Sequence, residues 1–184
     1  ELATDQVNYL FESRDGTLWI ALKSGRLLAW KDGAMRVILP GDAASQPVAV
    51  MAQSANDVIW LQDAAGALGR VTTNGVEYVF KPSHSSSHSN PGLIVDAKDQ
   101  LWVSTGDGLK LWRDGRLVSP GLGPLNGKPV EGIGRARDGA VWVYYNRRLW
   151  KVTAGKILAQ IEAPKQLTGV AGRLEASDGR FWLV

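Results

Sequence analysis

The sequence predicts an all-β fold in which one unit of 40 to 42 residues is repeated. Tryptophans that follow an Asp-Gly turn, or a turn like it, are separated by 41, 42, 40 and 40 residues: Trp19, Trp60, Trp102, Trp142 and Trp182. Glycines that end a second turn keep the same phase, with spacings of 42, 40 and 40: Gly33, Gly75, Gly115 and Gly155. Each repeat contains short runs rich in β-branched, aromatic and leucine residues. A period of this length with four strands is typical of a β-propeller blade.

Four antiparallel strands, a to d in chain order, are predicted in each repeat. Strand a precedes the Asp-Gly turn, as VNYLFES does in the first repeat, and strand b carries the recurring tryptophan. Strand c carries Trp30, Arg70, Trp112 or Trp150, and strand d follows a second turn such as 31–33. Asp-Gly pairs accommodate the positive φ angles of tight hairpins, which explains their place at these junctions. We expect the strand b tryptophans to pack between blades, because each has a large apolar surface to bury.

A single domain of β-propeller blades is predicted over residues 1–184. The blades span about 7–47, 48–89, 90–129 and 130–169, and a partial blade follows at 170–184. Because the fifth repeat has only strands a and b, we expect about four and a half blades that form a segment of a larger propeller. The alternative is a compact ring of five blades, one of them thin.

Composition excludes several kinds of site. The chain has 184 residues, 45% of them hydrophobic, which is enough for a substantial core. It has no cysteine, so disulfides and thiolate metal sites are excluded. No apolar run is long enough for a membrane span. The formal charge of +3 permits an anionic partner and does not require one.

The first repeat, LFESRDGTLWIALKSGRLLAWKDG, resembles the two-component regulator propeller repeat. The order of a strand, an acidic residue, an Asp-Gly turn, Leu-Trp and a Gly-Leu strand is largely kept in the third and fourth copies, which start at Ile94 and Ile133. The second copy departs from it, with Asn56-Asp57 in place of Asp-Gly and GALGRVTTNG around strand c. That copy is similar to the blades of virginiamycin B lyase-type propellers.

These resemblances imply different functions. The regulator repeat implies a periplasmic or extracellular sensor domain of a bacterial histidine kinase or diguanylate cyclase, and nothing in this sequence encodes kinase or cyclase chemistry. Our main hypothesis is therefore a non-catalytic propeller that senses a ligand or partner, without a metal or cofactor. The lyase-type resemblance implies instead an elimination enzyme with an acid–base cluster and a metal ion at the ring centre. A third hypothesis is a structural scaffold whose open strand edges pair between chains.

Candidate ligand-binding residues are predicted in the turns between strands b and c. In a four-stranded blade the a–b and c–d turns lie at one end, and the b–c turns and d–a linkers lie at the other. The a–b and c–d turns have similar Asp-Gly or Asn-Gly sequences in most repeats, whereas the b–c turns and d–a linkers differ from repeat to repeat. Variable loops on a regular scaffold are where binding groups concentrate. The predicted ligand-binding residues are Lys23, Asp63, Asp107, Tyr144, Tyr145, Asn146 and Arg147.

The b–c turn of the fourth repeat, YYNRR at 144–148, is the most distinctive of these turns. Aromatic rings beside guanidinium groups suit a sugar or an anionic group, although Tyr144 and Arg148 can also simply pack along strands b and c. Residues 128–165 contain eight Lys or Arg against three acids. The expected partners are a small molecule or glycan, an anionic one included, and the rest of a propeller or another copy of the chain. Nucleic acid is not expected, because no basic platform is interleaved with aromatic residues.

Two other sets of residues are candidates for polar sites. His84 and His88 have the i, i+4 spacing of a helical zinc site, but their serine-rich surroundings favour a linker. Glu12, Gln53, Val95, Arg135 and Glu175 occupy one position of strand a in successive repeats. This column is expected either to surround a central channel or to form a structural network, and we favour the network.

Overall fold

The computed structural model describes residues 5–42, 45–83, 90–163, 173–175 and 181–183, the last two ranges for their backbone alone. The chain divides into two compact units, Glu1–Ser85 and Ser86–Val184. The described residues form eighteen β-strands and one 3-10 turn at Gly123–Leu125. None of the described segments is a helix of the length and apolarity needed to cross a membrane.

Unit 1 contains two four-stranded antiparallel sheets, each with its strands in sequence order. Sheet 1 consists of β1 (Val7–Glu12), β2 (Leu18–Leu22), β3 (Leu27–Lys31) and β4 (Ala34–Leu39). Sheet 2 consists of β5 (Val48–Gln53), β6 (Ile59–Asp63), β7 (Leu68–Thr72) and β8 (Gly75–Phe80).

Unit 2 repeats this arrangement. Sheet 3 consists of β9 (Gly92–Val95), β10 (Leu101–Thr105), β11 (Gly108–Arg113) and β12 (Arg116–Val118). Sheet 4 consists of β13 (Gly132–Arg135), β14 (Val141–Tyr145), β15 (Arg148–Thr153) and β16 (Lys156–Glu162). A fifth, two-stranded sheet pairs β17 (Arg173–Glu175) with β18 (Phe181–Leu183). The predicted all-β fold with four-stranded antiparallel sheets is thus confirmed.

Each unit has its own apolar core between two sheets. In unit 1, alternate residues of sheet 1 pack with residues of sheet 2: Trp19, Ala21, Leu27 and Ala29 with Val48, Met51, Ile59 and Leu61. In unit 2 the core joins sheets 3 and 4 through residues such as Trp102, Leu109, Val143 and Val152, and it includes Leu122, Leu125 and Val130 from the connecting segment. Alternation along a strand directs every second side chain to the same face, so one face of each sheet supplies this core.

The four recurring tryptophans of strand b whose side chains the structure describes are buried. The exposed fractions are 6% for Trp19, 7% for Trp60, 0% for Trp102 and 5% for Trp142. A buried indole N–H needs an acceptor. For two of these tryptophans the acceptor is the side chain six residues earlier. Trp19 Nε1 donates to Ser13 Oγ at 3.0 Å, and Trp102 Nε1 donates to Asp96 Oδ2 at 2.8 Å.

Side chains of the a–b turns stabilise these turns locally. Asp15 Oδ1 accepts hydrogen bonds from Ser13 Oγ at 2.7 Å and from the Thr17 amide at 3.2 Å. Its other oxygen pairs with Lys31 Nζ at 2.7 Å, and this bond is the main reason that the pKa of Asp15 lies well below its usual value. The Asp side chain of this Asp-Gly turn therefore has a structural role, because it stabilises the turn itself.

Candidate functional site

A cavity of about 430 Å³ lies in unit 1 where the variable loops of sheets 1 and 2 meet. Its wall includes Gly25 from the β2–β3 turn and Asp63, Ala65 and Ala67 around the β6–β7 turn. The linker after β4 contributes Leu39, Pro40, Gly41, Asp42, Ser45 and Gln46. Tyr78 of β8 and Lys81 and Pro82 of the following linker complete the wall. All these elements are b–c turns, d–a linkers or the strand ends next to them.

The turn at Gly25 allows the linker to approach closely. Gly25 has a φ of +82°, and a Cβ placed on it would lie 2.5 Å from the Cβ of Ser45. Any other residue would combine left-handed backbone strain with a steric clash. This wall of the cavity therefore depends on glycine at position 25.

Asp63 places a carboxylate in the wall of the cavity. The residue is only 5% exposed, and its Oδ1 accepts hydrogen bonds of 2.9 Å from the amides of Ala65 and Ala67. Burial raises the pKa of Asp63, against the lowering effects of the turn amides and of the charge on Lys81. The hydrogen bonds in the described part of the chain reach Oδ1, and Oδ2 accepts none there.

Tyr78 and Lys81 are electrostatically coupled to this carboxylate. Lys81 Nζ lies over the Tyr78 ring, 5.3 Å from its centroid, in a cation–π contact. The pKa of the Tyr78 phenol is raised, mainly by burial and further by the negative charge of Asp63. A buried carboxylate, a half-buried phenol and an exposed ammonium group therefore line one cavity and influence each other electrostatically.

Of the seven predicted site residues, Asp63 alone lines this cavity. Lys23 lies in the β2–β3 turn with an exposed side chain, and its amide donates a hydrogen bond of 2.8 Å to the Gln6 carbonyl. Asp107 is exposed in the β10–β11 turn of unit 2. Ligand binding at these two turns stays a prediction.

The turn of the fourth repeat contains both buried and exposed residues. Tyr144 is 2% exposed and belongs to a buried cluster with Trp142 and Leu149, whereas Tyr145 is half-buried against the core of unit 2. Asn146 and Arg147 are exposed at the tip. Their backbones are anchored, since the Asn146 amide donates to Glu131 Oε1 at 2.9 Å and the Arg147 carbonyl accepts from the Ala163 amide at 2.9 Å. A ligand can reach the tip of this turn, and binding there also stays a prediction.

The strand a column takes part in a polar network in unit 1. Gln53 Oε1 accepts a hydrogen bond of 2.8 Å from the Arg14 amide, and its Nε2 donates one of 3.1 Å to Asp57 Oδ1. Arg14 Nη2 pairs with the same carboxylate oxygen at 2.7 Å. Gln53 therefore connects the a–b turns of sheets 1 and 2, which agrees with the structural interpretation of this position.

Other predicted polar groups fall outside what the structure describes. His84 and His88 lie outside the described residues, as does the side chain of Glu175. Within the described ranges, no group of three or more His, Cys, Asp or Glu is arranged to hold a metal ion.

Tyr78 and Lys81 were missed as site residues because the prediction concentrated on the b–c turns. The linkers after strand d lie at the same end of a blade as the b–c turns. The sequence of such a linker was the signal that could have indicated these residues. Lys81 directly follows the last strand of the second repeat and is next to Pro82.

Comparison with known proteins identifies the fold. No protein-family model matches the chain, and no curated protein matches its sequence. Among solved structures, virginiamycin B lyase from Staphylococcus aureus aligns over 95% of this chain with a TM-score of 0.73 and 21% identity. The fold is that of a β-propeller. Sheets 1 to 4 are accordingly called blades 1 to 4 below.

The extracellular domain of the hybrid two-component system BT3049 from B. thetaiotaomicron is similar over 95% of this chain, with a TM-score of 0.69 and 16% identity. The gluconolactonase XC5397 from Xanthomonas campestris is similar over 97%, with a TM-score of 0.62 and 15% identity. The chain spans 61% of the lyase, 25% of the BT3049 domain and 68% of the lactonase. Both classes of propeller that the sequence resembles are thus among its structural neighbours, and at these identities the likeness concerns the fold alone.

Proposed function

We propose that this chain is a non-catalytic sensing propeller, a segment of a bacterial extracytoplasmic receptor of the histidine kinase or diguanylate cyclase type. It recognises a ligand or partner through its b–c turns and d–a linkers. The observation that carries this proposal is the cavity of about 430 Å³ between the loops of blades 1 and 2. Its size is within the range of roughly 300–1,000 Å³ that small-molecule sites occupy.

The construction of the cavity supports a binding role. The a–b turns are stereotyped and closed by their own hydrogen bonds, whereas the cavity wall uses the loops that differ between repeats. Asp63 lies in this wall, and Lys23, Asp107, Tyr145, Asn146 and Arg147 belong to turns of the same kind. The likeness to the extracellular domain of BT3049 supports a receptor context outside the cytoplasm.

Cavity-filling variants test this function. Ala65 lines the cavity, whereas its neighbour Ala64 is exposed and lies outside the lining. A fragment library is screened against the 184-residue chain by ligand-observed NMR. We expect hits that are lost in Ala65→Phe and retained in Ala64→Phe. Hits that bind both variants equally well, or a screen without hits, would argue against ligand sensing at this cavity.

A second candidate function is lyase chemistry. The likeness to virginiamycin B lyase, with a TM-score of 0.73, and the GALGRVTTNG stretch of the second repeat favour it. Because a lyase of this kind was solved with quinupristin, that compound is the probe, and chromatography follows the opening of its ring. Ring opening that is lost in His84→Ala or His88→Ala would support the lyase and contradict the sensing proposal. We expect no turnover.

A further inference from the structure

We propose that the cavity of unit 1 binds an organic cation, a molecule with a protonated amine attached to an apolar body. This inference rests on the proposed function, because it takes the cavity as the ligand site. It assigns to that ligand a positive charge, in contrast to the anionic group expected at the turn of the fourth repeat.

The first argument is the unused hydrogen-bonding capacity of Asp63. The residue is 5% exposed, and the two turn amides that bind its carboxylate both reach Oδ1. Oδ2 receives no hydrogen bond from the described residues and is not fully enclosed, so it is accessible from the cavity and free to accept a donor from a ligand. An ammonium N–H supplies both a donor and the opposite charge, which makes the bond stronger than one from a neutral group.

The second argument is the balance of charge in the cavity wall. Asp42 and Asp63 contribute two carboxylates, and Lys81 contributes one ammonium group. Asp63 is the buried one of these three charges, so its attraction for a cation is the least screened by solvent, whereas Asp42 and Lys81 are exposed. Leu39, Pro40 and Pro82 provide the apolar surface against which the body of the ligand packs.

The third argument is that a cation already uses the aromatic ring of this site. Lys81 Nζ lies 5.3 Å from the centre of the Tyr78 ring, and it forms no ion pair with the described residues. The Lys81 side chain is exposed and joined to a linker, so it can move away at little cost. Lys81 is thus an internal competitor that a ligand ammonium displaces from the Tyr78 ring.

The test uses three probes of equal chain length that differ in charge: n-pentylammonium, n-pentanol and pentanoate. Each is titrated into the 15N-labelled 184-residue chain, and the amide shifts of Gly25, Ala65 and Ala67 are followed by NMR. We expect n-pentylammonium to bind at least about 10-fold more tightly than the other two, as a charge-assisted hydrogen bond predicts.

Variants separate the two charged groups. Asp63→Asn keeps an oxygen for the turn amides and should weaken n-pentylammonium binding about 10-fold. Lys81→Met removes the competitor and should strengthen it by a few fold, on the scale of a cation–π contact. The matched control is Asp96→Asn in unit 2, because Asp96 Oδ1 likewise accepts hydrogen bonds from the amides two and four residues later, at 2.8 and 2.9 Å. This control should leave binding unchanged.

Three results would overturn the inference, and they differ in whether the cavity remains a ligand site. If pentanol or pentanoate shifts the cavity amides at lower concentration than n-pentylammonium, the cavity is a ligand site and the cationic class is wrong. If none of the three probes shifts these amides, the cation inference fails, and the fragment screen with Ala65→Phe decides the sensing function separately. Binding that is unaffected by Asp63→Asn also contradicts the inference.

Discussion

Asp63 occupies a position three residues after the strand b tryptophan, where other repeats have Leu22 and Thr105. Leu22 is fully buried, and Thr105 Oγ1 donates a hydrogen bond of 2.7 Å to the Gly108 carbonyl. The carboxylate of Asp63 instead accepts hydrogen bonds from its own turn and lines the cavity. A single substitution in the repeat thus converts a packing position into a polar group of the candidate site.

The raised pKa of Asp63 predicts the pH dependence of an Asp63→Asn variant. Since burial makes the charged form less favourable in the folded state, the folded protein retains this proton at pH values where the unfolded chain has lost it. The contribution of Asp63 to the free energy of unfolding is therefore fully present below the unfolded pKa of 3.8 and is lost as pH rises through the folded pKa.

Asp63→Asn removes this titration. We expect the free energy of unfolding of the variant to rise relative to that of the unmodified chain as pH increases from about 3.8. Urea denaturation at several pH values measures this difference. A difference that stays constant or moves in the opposite direction would show that the pKa of Asp63 is not raised.

Arg147 is in a backbone conformation that suits glycine. Six non-glycine residues of the described chain have positive φ; five are Asp or Asn, which tolerate this region, and the sixth is Arg147 at +60°. We expect Arg147→Gly to increase the free energy of unfolding by about 1 kcal/mol, because the strain on Cβ disappears. Arg147→Ala is the control, since it removes the guanidinium group and keeps the strain. Equal urea midpoints for the two variants would contradict this explanation.

At the level of elements, the regular turns also join neighbouring blades. The Asp-Gly turn of blade 4 contacts the a–b turn of blade 3, where the Ala97 amide donates a hydrogen bond of 3.1 Å to the Gly139 carbonyl. A Cβ on Gly139 would lie 2.2 Å from the Cβ of Ala97. Glycine at this turn therefore serves both the hairpin and the packing of one blade on the next.

Two glycine substitutions distinguish these roles. Gly139 and Gly115 have similar φ values of +81° and +76°, but a Cβ on Gly115 would meet nothing within 4 Å. Gly115→Ala should lower the free energy of unfolding by about 1–2 kcal/mol through strain alone. Gly139→Ala should lower it by about a further 1–3 kcal/mol, because it also adds a steric clash. Similar losses in urea denaturation for the two variants would show that contact between the turns contributes little.

At the scale of the whole molecule, stability depends on apolar cores that each join two blades within a unit. Trp102 is fully buried in the core of unit 2, whereas Trp30, at the strand c position of blade 1, is 42% exposed. The tryptophans of the repeat are therefore not equivalent, even though the sequence pattern treats them alike.

This difference predicts unequal effects of alanine substitutions. Trp102→Ala should reduce the free energy of unfolding by about 3–5 kcal/mol, because it leaves a large cavity in the core. Trp30→Ala should reduce it by less than about 1 kcal/mol, as for other exposed positions. Urea denaturation followed by far-UV circular dichroism measures both, since this signal does not depend on the tryptophans that are removed. Comparable losses would contradict the burial that distinguishes them.

The sequence by itself determined the four-stranded repeat, because strand propensity, turn chemistry and the period of the tryptophans are local properties and all agree. It also predicted Asp63, in a variable b–c turn, as a candidate site residue, because departures from a repeat can be read directly from its copies. Only the tertiary structure brought Asp63 together with Tyr78 and Lys81, and showed that Tyr144 is buried while Arg147 is exposed. Burial and the meeting of separate loops depend on how the blades of a unit pack, and that packing depends on contacts between residues far apart in the chain.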